Sequence, residues 1–340
     1  MAGCCKPKGT GGPGGERCKG DGYIDIYQVD AFTDVVFGGN PAGVVPDATG
    51  LSEDVMQKIA REMNLSETAF VMDLRGKSES RAACGNGPVP DFDVRFFTPV
   101  SEVNLCGHAT IGTFWLLAEM GVIELGEKET RVFQKTKAGV LPVDIVGGCE
   151  SGPSRVMMTQ NLPEIVLEPT YAELQELEKI LGAPGGSITG FKSARPQAVS
   201  TGLPDLIVPV TSREALLSLR PNMSLLSDFC KERNIISVHC FSLETVDPAA
   251  TVHCRDFSPA VGVPEESATG TASGATAGYL VLNKLVKVTE PVTRIICEQG
   301  HILKRPSIIH AEVGVSGGEI TSIRVGGSAV TVMKGKMRVR

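Results

Sequence analysis

The sequence predicts an α+β protein made of two related lobes, each organised around one buried helix. The first observation is a repeat: residues 95–120 read RFFTPVSEVNLCGHATIGTFWLLAEM, and residues 255–282 read RDFSPAVGVPEESATGTASGATAGYLVL. The second is that strand-like segments alternate with few helices, a pattern typical of α+β domains. The third is the length of 340 residues, which is enough for two domains.

Both copies of the repeat contain the same parts in the same order. Each begins with Arg-x-Phe-Thr/Ser-Pro, continues through a polar loop and a glycine turn, and ends in small and apolar residues. Residues 109–118 and 272–282 contain no charged side chain. A helix that is apolar on every side is either buried or spans a membrane, and these two are too short to span one. We therefore expect each helix to lie inside its own lobe.

Local signals predict the elements that precede the repeat. Residues 1–22 contain eight glycines and are predicted to form a disordered leader. A half-alternating strand follows in residues 23–32, and a glycine turn leads into a second strand in residues 37–45. Residues 51–64 have the pattern of an amphipathic helix, with Ser52 as its N-cap.

A polar insertion, residues 74–90, separates the next strand from the repeat. That strand is predicted for residues 69–72, directly after Glu67. Within the insertion, Cys84 opens a Cys-Gly-Asn-Gly sequence that resembles the cysteine motif of diaminopimelate epimerases. Two prolines follow within six residues of Cys84 and disfavour the helix that such a motif needs. We interpret Cys84 as a loop residue.

The chain after the first repeat is predicted to contain further strands and two helices. Thr170 and Glu173 form a capping box that predicts a helix ending near Gly182. The predicted strands are residues 131–133, 139–146, 155–160, 197–200, 205–210, 235–242, 251–256, 307–315 and 320–325, and a second helix contains Leu225, Leu226 and Phe229. We expect an N-terminal lobe of residues 23–147, joined by a C-terminal strand at about 324–340. Residues 148–323 form the C-terminal lobe.

Composition excludes several classes of function. The net charge of −6 argues against a nucleic-acid or anionic-membrane surface. No apolar run is long enough for a transmembrane helix, and the N-terminus has no signal-peptide core, so a cytoplasmic location is expected. The ten cysteines include no metal-type CxxC pair, and no GxGxxG, Walker or HExxH pattern occurs. The sequence therefore predicts no cofactor and no metal.

The candidate chemistry lies at the two helix N-termini. Gly107 and Gly270 begin the helices, and their free backbone N–H groups are ready-made anion sites. The repeat places His108 where the second copy has Thr271, and Cys106 where it has Thr269. Because Cys106 stands at a helix N-terminus, we expect the pKa of its thiol to be lowered. With the carboxylates Glu67 and Glu266 added, these groups suit proton transfer at a carbon near a substrate carboxylate.

Each of these side chains also has a purely structural interpretation. Glu67 can be a solvated residue at the end of a helix. His108 can be a capping or packing histidine. Glu266 can be a surface residue before a helix, favoured only by the helix dipole.

Several ordered motifs resemble one known family. They are GGNPAGVV, NLSETAF, RFFTP, EVNLCGHAT, STGLPDLIVPV, the ATG turn and QGHILKRPS. Together they resemble the PhzF-type phenazine-biosynthesis isomerases over about residue 23 to the C-terminus, outside the 74–90 insertion. The resemblance implies a diaminopimelate epimerase-like fold: two pseudo-symmetric lobes, each a rolled, mostly antiparallel sheet around a central helix, with the site between them. It also implies a homodimer.

The resemblance assigns residues and shows departures. The family's catalytic glutamate matches Glu67, its Gly-His pair matches Gly107 and His108, and its EDPxTGS loop matches residues 265–271. Within that loop, the family's aspartate is Glu266, its proline is Ser267 and its serine is Thr271. Thr271 keeps the hydroxyl and Glu266 keeps the carboxylate, but the glutamate side chain is one methylene longer than that of aspartate.

The sequence thus predicts a cofactor-independent isomerase with a small carboxylated ring substrate. Glu67 moves a proton, His108, Glu266 and Thr271 position the substrate or pass protons, and the N–H groups of Gly107 and Gly270 bind its carboxylate. The resemblance suggests one substrate class, a dihydro-hydroxyanthranilate. Two alternatives stay open: a two-thiol racemase or epimerase of the same fold, and a non-catalytic binding or regulatory protein.

Overall fold

The computed structural model describes residues 22–76, 87–147 and 152–339. Within these ranges, eighteen strands join into one continuous mixed sheet, and six α-helices pack against it. The α-helices are α1 (Glu53–Met63), α2 (Gly107–Glu119), α3 (Tyr171–Ile180), α4 (Arg213–Ser218), α5 (Met223–Glu232) and α6 (Gly270–Leu282). Two 3₁₀ turns lie at Pro259–Val261 and His301–Leu303.

The strands are numbered β1 to β18 in chain order. The strands of the first half are β1 (Tyr23–Ala31), β2 (Asn40–Val45), β3 (Glu67–Asp73), β4 (Phe92–Phe97), β5 (Glu102–Val103), β6 (Glu129–Thr136), β7 (Gly139–Gly147), β8 (Pro153–Gln160) and β9 (Glu164–Leu167). Those of the second half are β10 (Gln197–Ser200), β11 (Pro204–Pro209), β12 (Ser237–Ser242), β13 (Val252–Ser258), β14 (Val263–Glu266), β15 (Val292–Gln299), β16 (Ser307–Ser316), β17 (Glu319–Gly327) and β18 (Ala329–Arg338).

The sheet topology repeats once along the chain. From β1 to β8, the successive pairings are antiparallel at β1–β2, parallel at β2–β3, antiparallel at β3–β4 and β4–β5, parallel at β4–β6, and antiparallel at β6–β7 and β7–β8. From β10 to β17, the pairings follow the same order with every strand number raised by nine. The repeat read from the sequence is therefore part of a duplication of the whole fold.

The last strand of each half pairs with the first strand of the other half. β9 pairs with β10, and β18 returns to pair with β1, while β8 and β17 pair with each other and join the two halves. β18 begins and ends within the region, about 324–340, for which a C-terminal strand beside the N-terminal lobe is predicted; the division into lobes itself stays a prediction. The lobe boundary at residues 147 and 148 stays a prediction, because the sheet runs through β7 and β8 without a break.

The two apolar helices are buried, as their composition predicts. Ten residues of α2, from His108 to Ala118, are buried, and so are ten of α6, from Ala272 to Val281. α2 packs on β1, β2, β3, β7, β8 and β18, whereas α6 packs on β10, β11, β16 and β17. Gly274 allows the closest approach of α6 to its sheet, since a Cβ there would stand 1.9 Å from the Gln160 Oε1 atom.

An arginine–glutamate pair occupies the same place in both repeats. Arg95 in β4 binds both carboxylate oxygens of Glu102 in β5, each at 2.7 Å. Arg255 in β13 binds Glu265 in β14 in the same two-pronged way, at 2.8 and 2.9 Å. The arginine of the Arg-x-Phe motif thus anchors the polar loop that leads to each central helix.

Most local predictions are confirmed, and the errors lie in weak signals. The Ser52 hydroxyl caps α1, and the Thr170–Glu173 capping box opens α3. The short elements β9, α4, β14 and β15 were not predicted, since they lack a strong period or sit beside prolines. Cys84, the leader and Gly148 lie outside the described residues. In the part of the chain that the structure describes, no helix is long and apolar enough to cross a membrane.

Candidate active site

Glu67 and His108 face each other at the N-terminus of α2. Glu67 is the first residue of β3, and His108 is the second residue of α2. The Glu67 Oε2 atom lies 3.3 Å from His108 Nε2, and the two side chains are 18% and 7% exposed. The predicted base is therefore close to the protein interior and touches the predicted histidine.

The Cys106 thiol fixes the protonation of His108. Its Sγ atom lies 3.4 Å from His108 Nδ1. Burial, and next the charge of Glu67, raise the pKa of the Cys106 thiol well above its usual value, so the thiol keeps its proton. A thiol proton on the Nδ1 side leaves Nε2 as the N–H, and this nitrogen lies 3.4 Å from the Ser66 hydroxyl, its hydrogen-bond partner. The lowered thiol pKa expected for a helix N-terminus is wrong, because desolvation and a nearby carboxylate outweigh the helix dipole.

His108 is neutral in this setting. Burial lowers the pKa of His108, and the charge of Glu67 opposes this only in part. A neutral imidazole can donate one hydrogen bond without adding a positive charge to the site. His108 therefore stands beside the Glu67 carboxylate without placing a cation there, and Glu67 Oε2 has no hydrogen-bond partner among the described residues.

Asn40 connects the two halves of the site and was not predicted as a site residue. Its Nδ2 atom donates to Glu266 Oε2 at 3.0 Å and to the Ala268 carbonyl at 2.9 Å. The same nitrogen lies 3.4 Å from His108 Nδ1. Because Ala268 stands two residues before α6, this one amide links the N-terminal ends of both central helices. The only sequence signal was its place in the GGNPAGVV motif.

The turn before Asn40 is clamped from the second half of the chain. The Arg305 guanidinium donates to the Gly38 and Gly39 carbonyls at 2.6 and 2.9 Å, and it pairs with Asp30 at 2.9 Å. The Ser267 hydroxyl also donates to the Gly39 carbonyl. Gly39 has φ +60°, and a Cβ there would lie 2.2 Å from the Ala31 carbonyl oxygen, so only glycine fits. Asn40 is thus held in place by its backbone.

Glu266 is the second carboxyl group of the site. Burial raises the pKa of Glu266 to about 8, with smaller contributions from the charges of Asp256 and Glu67, while the Asn40 hydrogen bond lowers it. At neutral pH this group therefore carries its proton. The site combines an acceptor at Glu67 with a proton-bearing donor at Glu266.

The predicted anion-binding groups lie where the helices begin. Gly107 and Gly270 are the first residues of α2 and α6, and neither helix has a side-chain cap at its N-terminus. A Cβ built on Gly107 meets no heavy atom within 4 Å, so open space adjoins this end of α2. Thr271 lies in the first turn of α6 and is partly buried. Among the described residues, no hydrogen bond joins Thr271 to Glu67, His108 or Glu266.

Gln299 is a further residue that was not predicted as part of the site. Its Nε2 atom donates to the Glu266 carbonyl at 2.9 Å and to the Thr269 hydroxyl at 3.1 Å, and its Oε1 atom accepts from the Thr269 N–H. It is fully buried. Gln299 therefore holds the loop between Glu266, at the end of β14, and the start of α6.

The donor atoms of Glu67, Cys106 and His108 all lie within 4.8 Å of one another. A carboxylate, a thiolate and an imidazole are groups that zinc accepts as ligands. Here, however, the thiol is held protonated and its contact with Nδ1 leaves the imidazole proton on Nε2. The arrangement fits proton transfer better than a resident metal, and the absence of a metal stays a prediction.

Comparisons with known proteins identify the family of the chain. The model of one family, described as phenazine biosynthesis-like protein (PhzC-PhzF), matches residues 29–335. An uncharacterized isomerase of Clostridium acetobutylicum is 35% identical over 92% of this chain and 97% of its own. An uncharacterized isomerase of Bacillus subtilis is 33% identical, over 90% of this chain and 96% of its own.

Solved structures agree with these matches. A phenazine biosynthesis protein of the PhzF family from Bacillus anthracis is 32% identical, with a TM-score of 0.77 over 93% of this chain and 99% of its own. A hydroxyproline epimerase from Agrobacterium vitis, solved with bound trans-4-hydroxy-L-proline, is 15% identical, with a TM-score of 0.58 over 93% of this chain and 92% of its own. The second likeness concerns the fold alone.

Proposed function

Since the chain belongs to the PhzC-PhzF family of phenazine biosynthesis-like proteins, we propose that it is a cofactor-independent isomerase that moves a proton on a small carboxylated substrate. Members of similar sequence carry the name isomerase, which supports the reaction class. The substrate itself is inferred only from the chemistry of the site.

The contact between Glu67 and His108 is the observation that carries the proposal. A general base needs to be ionised, oriented and kept from full solvation. A neutral His108 Nε2 lies 3.3 Å from Glu67 Oε2 without placing a cation beside it, and that oxygen has no hydrogen-bond partner among the described residues, so it can accept a proton. In the proposed reaction Glu67 accepts a proton from a substrate carbon and returns it to another carbon of the conjugated system.

Glu266 supplies the complementary group. While Glu67 holds the substrate proton, the electron pair of the broken C–H bond spreads into the conjugated system. A protonated Glu266, oriented by Asn40, donates a hydrogen bond to the oxygen where that charge collects. By resemblance to the family's serine, Thr271 is the hydroxyl that helps to position the substrate. When Glu67 returns the proton, the charge disappears and both carboxyl groups regain their starting state.

The helix N-termini suit the carboxylate of the substrate. The N–H groups at Gly107 and Gly270 carry the partial positive charge of α2 and α6, and open space adjoins Gly107. The resemblance to phenazine-pathway enzymes makes dihydro-hydroxyanthranilate-like acids the first compounds to assay. A homodimer in the cytoplasm is part of the same proposal.

The two-thiol racemase is less well supported by the geometry. Such an enzyme needs two thiols that face each other across the substrate. The counterpart of Cys106 is Thr269, whose hydroxyl accepts a hydrogen bond from Gln299. The thiol of Cys106 is protonated and bonded to His108. A non-catalytic binding protein is the remaining alternative, and the experiment below separates it from an enzyme.

The test is exchange of carbon-bound hydrogen with heavy water, measured by NMR or mass spectrometry over a panel of small carboxylic acids. We expect the parent protein to catalyse exchange in at least one ring acid and Glu67→Gln to lose about 10²–10⁴ in rate. Glu62→Gln, at an exposed position at the end of α1, is the matched control and should keep the parent rate. Parent-level exchange by Glu67→Gln would exclude Glu67 as the base. Compounds that bind without any exchange would favour the binding protein.

A further inference from the structure

A buried polar network lies directly behind Glu266 in the second half of the molecule. It consists of Asp205 on β11, Ser237 and His239 on β12, and Asp256 and Ser258 on β13. All five side chains are buried, with at most 5% exposure. Burying so many polar groups is costly, so their arrangement calls for an explanation.

The hydrogen bonds determine which carboxyl group of the network is ionised. The Ser237 hydroxyl lies 2.8 Å from Asp205 Oδ1 and 2.9 Å from Asp256 Oδ1. A hydroxyl has one proton, so it donates to one carboxyl group and must accept a proton from the other. One of the two aspartates is therefore protonated.

Asp256 is the ionised one. Its oxygens receive three contacts: Ser237, His239 Nδ1 at 3.0 Å, and the Ser258 hydroxyl at 2.9 Å. Asp205 has the single contact with Ser237, and its Oδ2 atom has no hydrogen-bond partner among the described residues. Three donors stabilise an anion, whereas one contact suits a neutral acid that donates to Ser237. Consistent with this, burial, followed by the charge of Asp256, raises the pKa of Asp205 well above its usual value.

Asp256 lies directly opposite Glu266. The two residues are cross-strand partners in the antiparallel pair of β13 and β14. Directly opposite side chains lie on the same face, with Cβ atoms about 5 Å apart, and two like charges there repel each other. Among the described residues, no lysine or arginine forms an ion pair with Asp256. The cationic side chain that Asp256 can pair with is His239, whose Nδ1 atom lies 3.0 Å from Asp256 Oδ1.

We propose that Asp256 is a positioning residue that acts through Glu266: its buried negative charge, held by Ser237, His239 and Ser258, keeps the Glu266 carboxyl protonated and so fixes Glu266 as the donor of the site. The proposal rests on the proposed function only for the use of that donor. Asp256 does not touch the substrate. It lets two glutamates share one site with opposite roles, Glu67 as acceptor and Glu266 as donor.

Other groups near Glu266 raise its pKa, lower its pKa or carry no net charge. Glu67 raises the pKa of Glu266 as Asp256 does, although it contributes less, and the Asn40 amide lowers it. Glu265 is neutralised by Arg255, and His108 is neutral. The thiols of Cys106, Cys230 and Cys240 all have raised pKa values and stay uncharged. After burial, Asp256 is thus the largest contribution to the raised pKa of Glu266.

The test is a direct titration of Glu266 in the full-length protein without substrate. The protein is labelled with glutamate carrying ¹³C in its side-chain carboxyl group, and the Glu266 signal is assigned by its loss in Glu266→Gln. We expect Glu266 to titrate near pH 8 in the parent, as its pKa indicates. In Asp256→Asn, which keeps the shape of the side chain, we expect that pKa to fall by about one unit.

Asp205→Asn is the matched control. Asp205 belongs to the same network but is already neutral, so this variant should leave the Glu266 titration within about 0.3 units of the parent, the precision of such shifts in practice. An unchanged titration in Asp256→Asn, or equal shifts in both variants, would overturn the proposal. So would a parent Glu266 that titrates at the ordinary glutamate value.

Ser258→Ala provides a second variant if Asp256→Asn does not fold. It removes the hydroxyl that donates to Asp256 Oδ2 without changing a charge, so the Asp256 carboxylate is held by fewer donors. We then expect the Glu266 pKa to move down in the same direction, by a smaller amount. No shift would count against the proposal. Because the titration needs no substrate, its outcome is independent of whether Glu67→Gln abolishes exchange.

Discussion

Replacement of Asn40 by alanine is the sharpest test of how the site is held together. The change removes a side chain that is 5% exposed and that joins residues from both halves of the chain. Two hydrogen bonds are lost, one to Glu266 Oε2 at 3.0 Å and one to the Ala268 carbonyl at 2.9 Å. The longer contact with His108 adds little.

The expected loss of stability follows from these two bonds. A hydrogen bond contributes about 1 kcal/mol net, and a buried acceptor left without a donor costs about 1–3 kcal/mol. Ala268 is fully buried, so water cannot replace the amide at its carbonyl. We expect Asn40→Ala to lower the free energy of unfolding by about 2–4 kcal/mol. Hydrogen exchange on a substrate should fall about a hundredfold, since a displacement of about 1 Å at catalytic groups has that effect.

The assay is urea unfolding monitored by circular dichroism, together with the heavy-water exchange described above. Asn104→Ala is the control, because Asn104 is an exposed asparagine in the loop before α2, and its loss should change the unfolding free energy by less than about 0.5 kcal/mol. If Asn40→Ala is as stable and as active as the control, Asn40 does not couple the two halves of the site.

Four further predictions follow from the same geometry. Cys106→Ala should keep most of the turnover of the parent, because the thiol keeps its proton. A loss of activity as large as that of Glu67→Gln would favour the two-thiol racemase. Gly107→Ala should leave stability within about 1 kcal/mol of the parent yet raise KM, since its methyl group enters the open space beside α2. Arg255→Met should cost about 3–5 kcal/mol in urea unfolding and the equivalent Arg95→Met clearly less, because the side chains are 5% and 24% exposed. The pKa of Glu266 is 4.5 in the unfolded chain and about 8 in the folded protein, so the free energy of unfolding of the parent should fall, relative to Glu266→Gln, as the pH rises from 4.5 to 8. If the difference in unfolding free energy between the two proteins does not change with pH, the raised pKa is refuted.

Local sequence signals determined much of the fold. The caps at Ser52 and Thr170 act within three residues of where they stand, so they are visible without tertiary information. The burial of the two apolar helices could be predicted because no charged side chain occurs in residues 109–118 and 272–282. The duplication was visible in one segment, and the structure extends it to nine successive strands per half.

Motif resemblance and the repeat also predicted Glu67, His108 and Glu266 as site residues; the structure brings them together, and their acid–base roles stay a prediction. The sequence did not identify Asn40, Gln299 or Asp256. Asparagine and glutamine are common in turns and strands, and a side-chain amide becomes a site residue only when folding brings acceptors from distant segments within 3 Å of it. Asn40 and Glu266 are separated by 226 positions in the chain.

The charge states of Cys106 and Glu266 follow from the folded structure and could not be predicted from the sequence. The thiol of Cys106 was expected to be acidified by its helix, yet burial and Glu67 raise its pKa instead. Glu67 and Glu266 are the same amino acid, and nothing local distinguishes acceptor from donor. The distinction arises because a pKa depends on desolvation and on charges within a few ångströms, and the chain positions that supply those charges become neighbours only after folding.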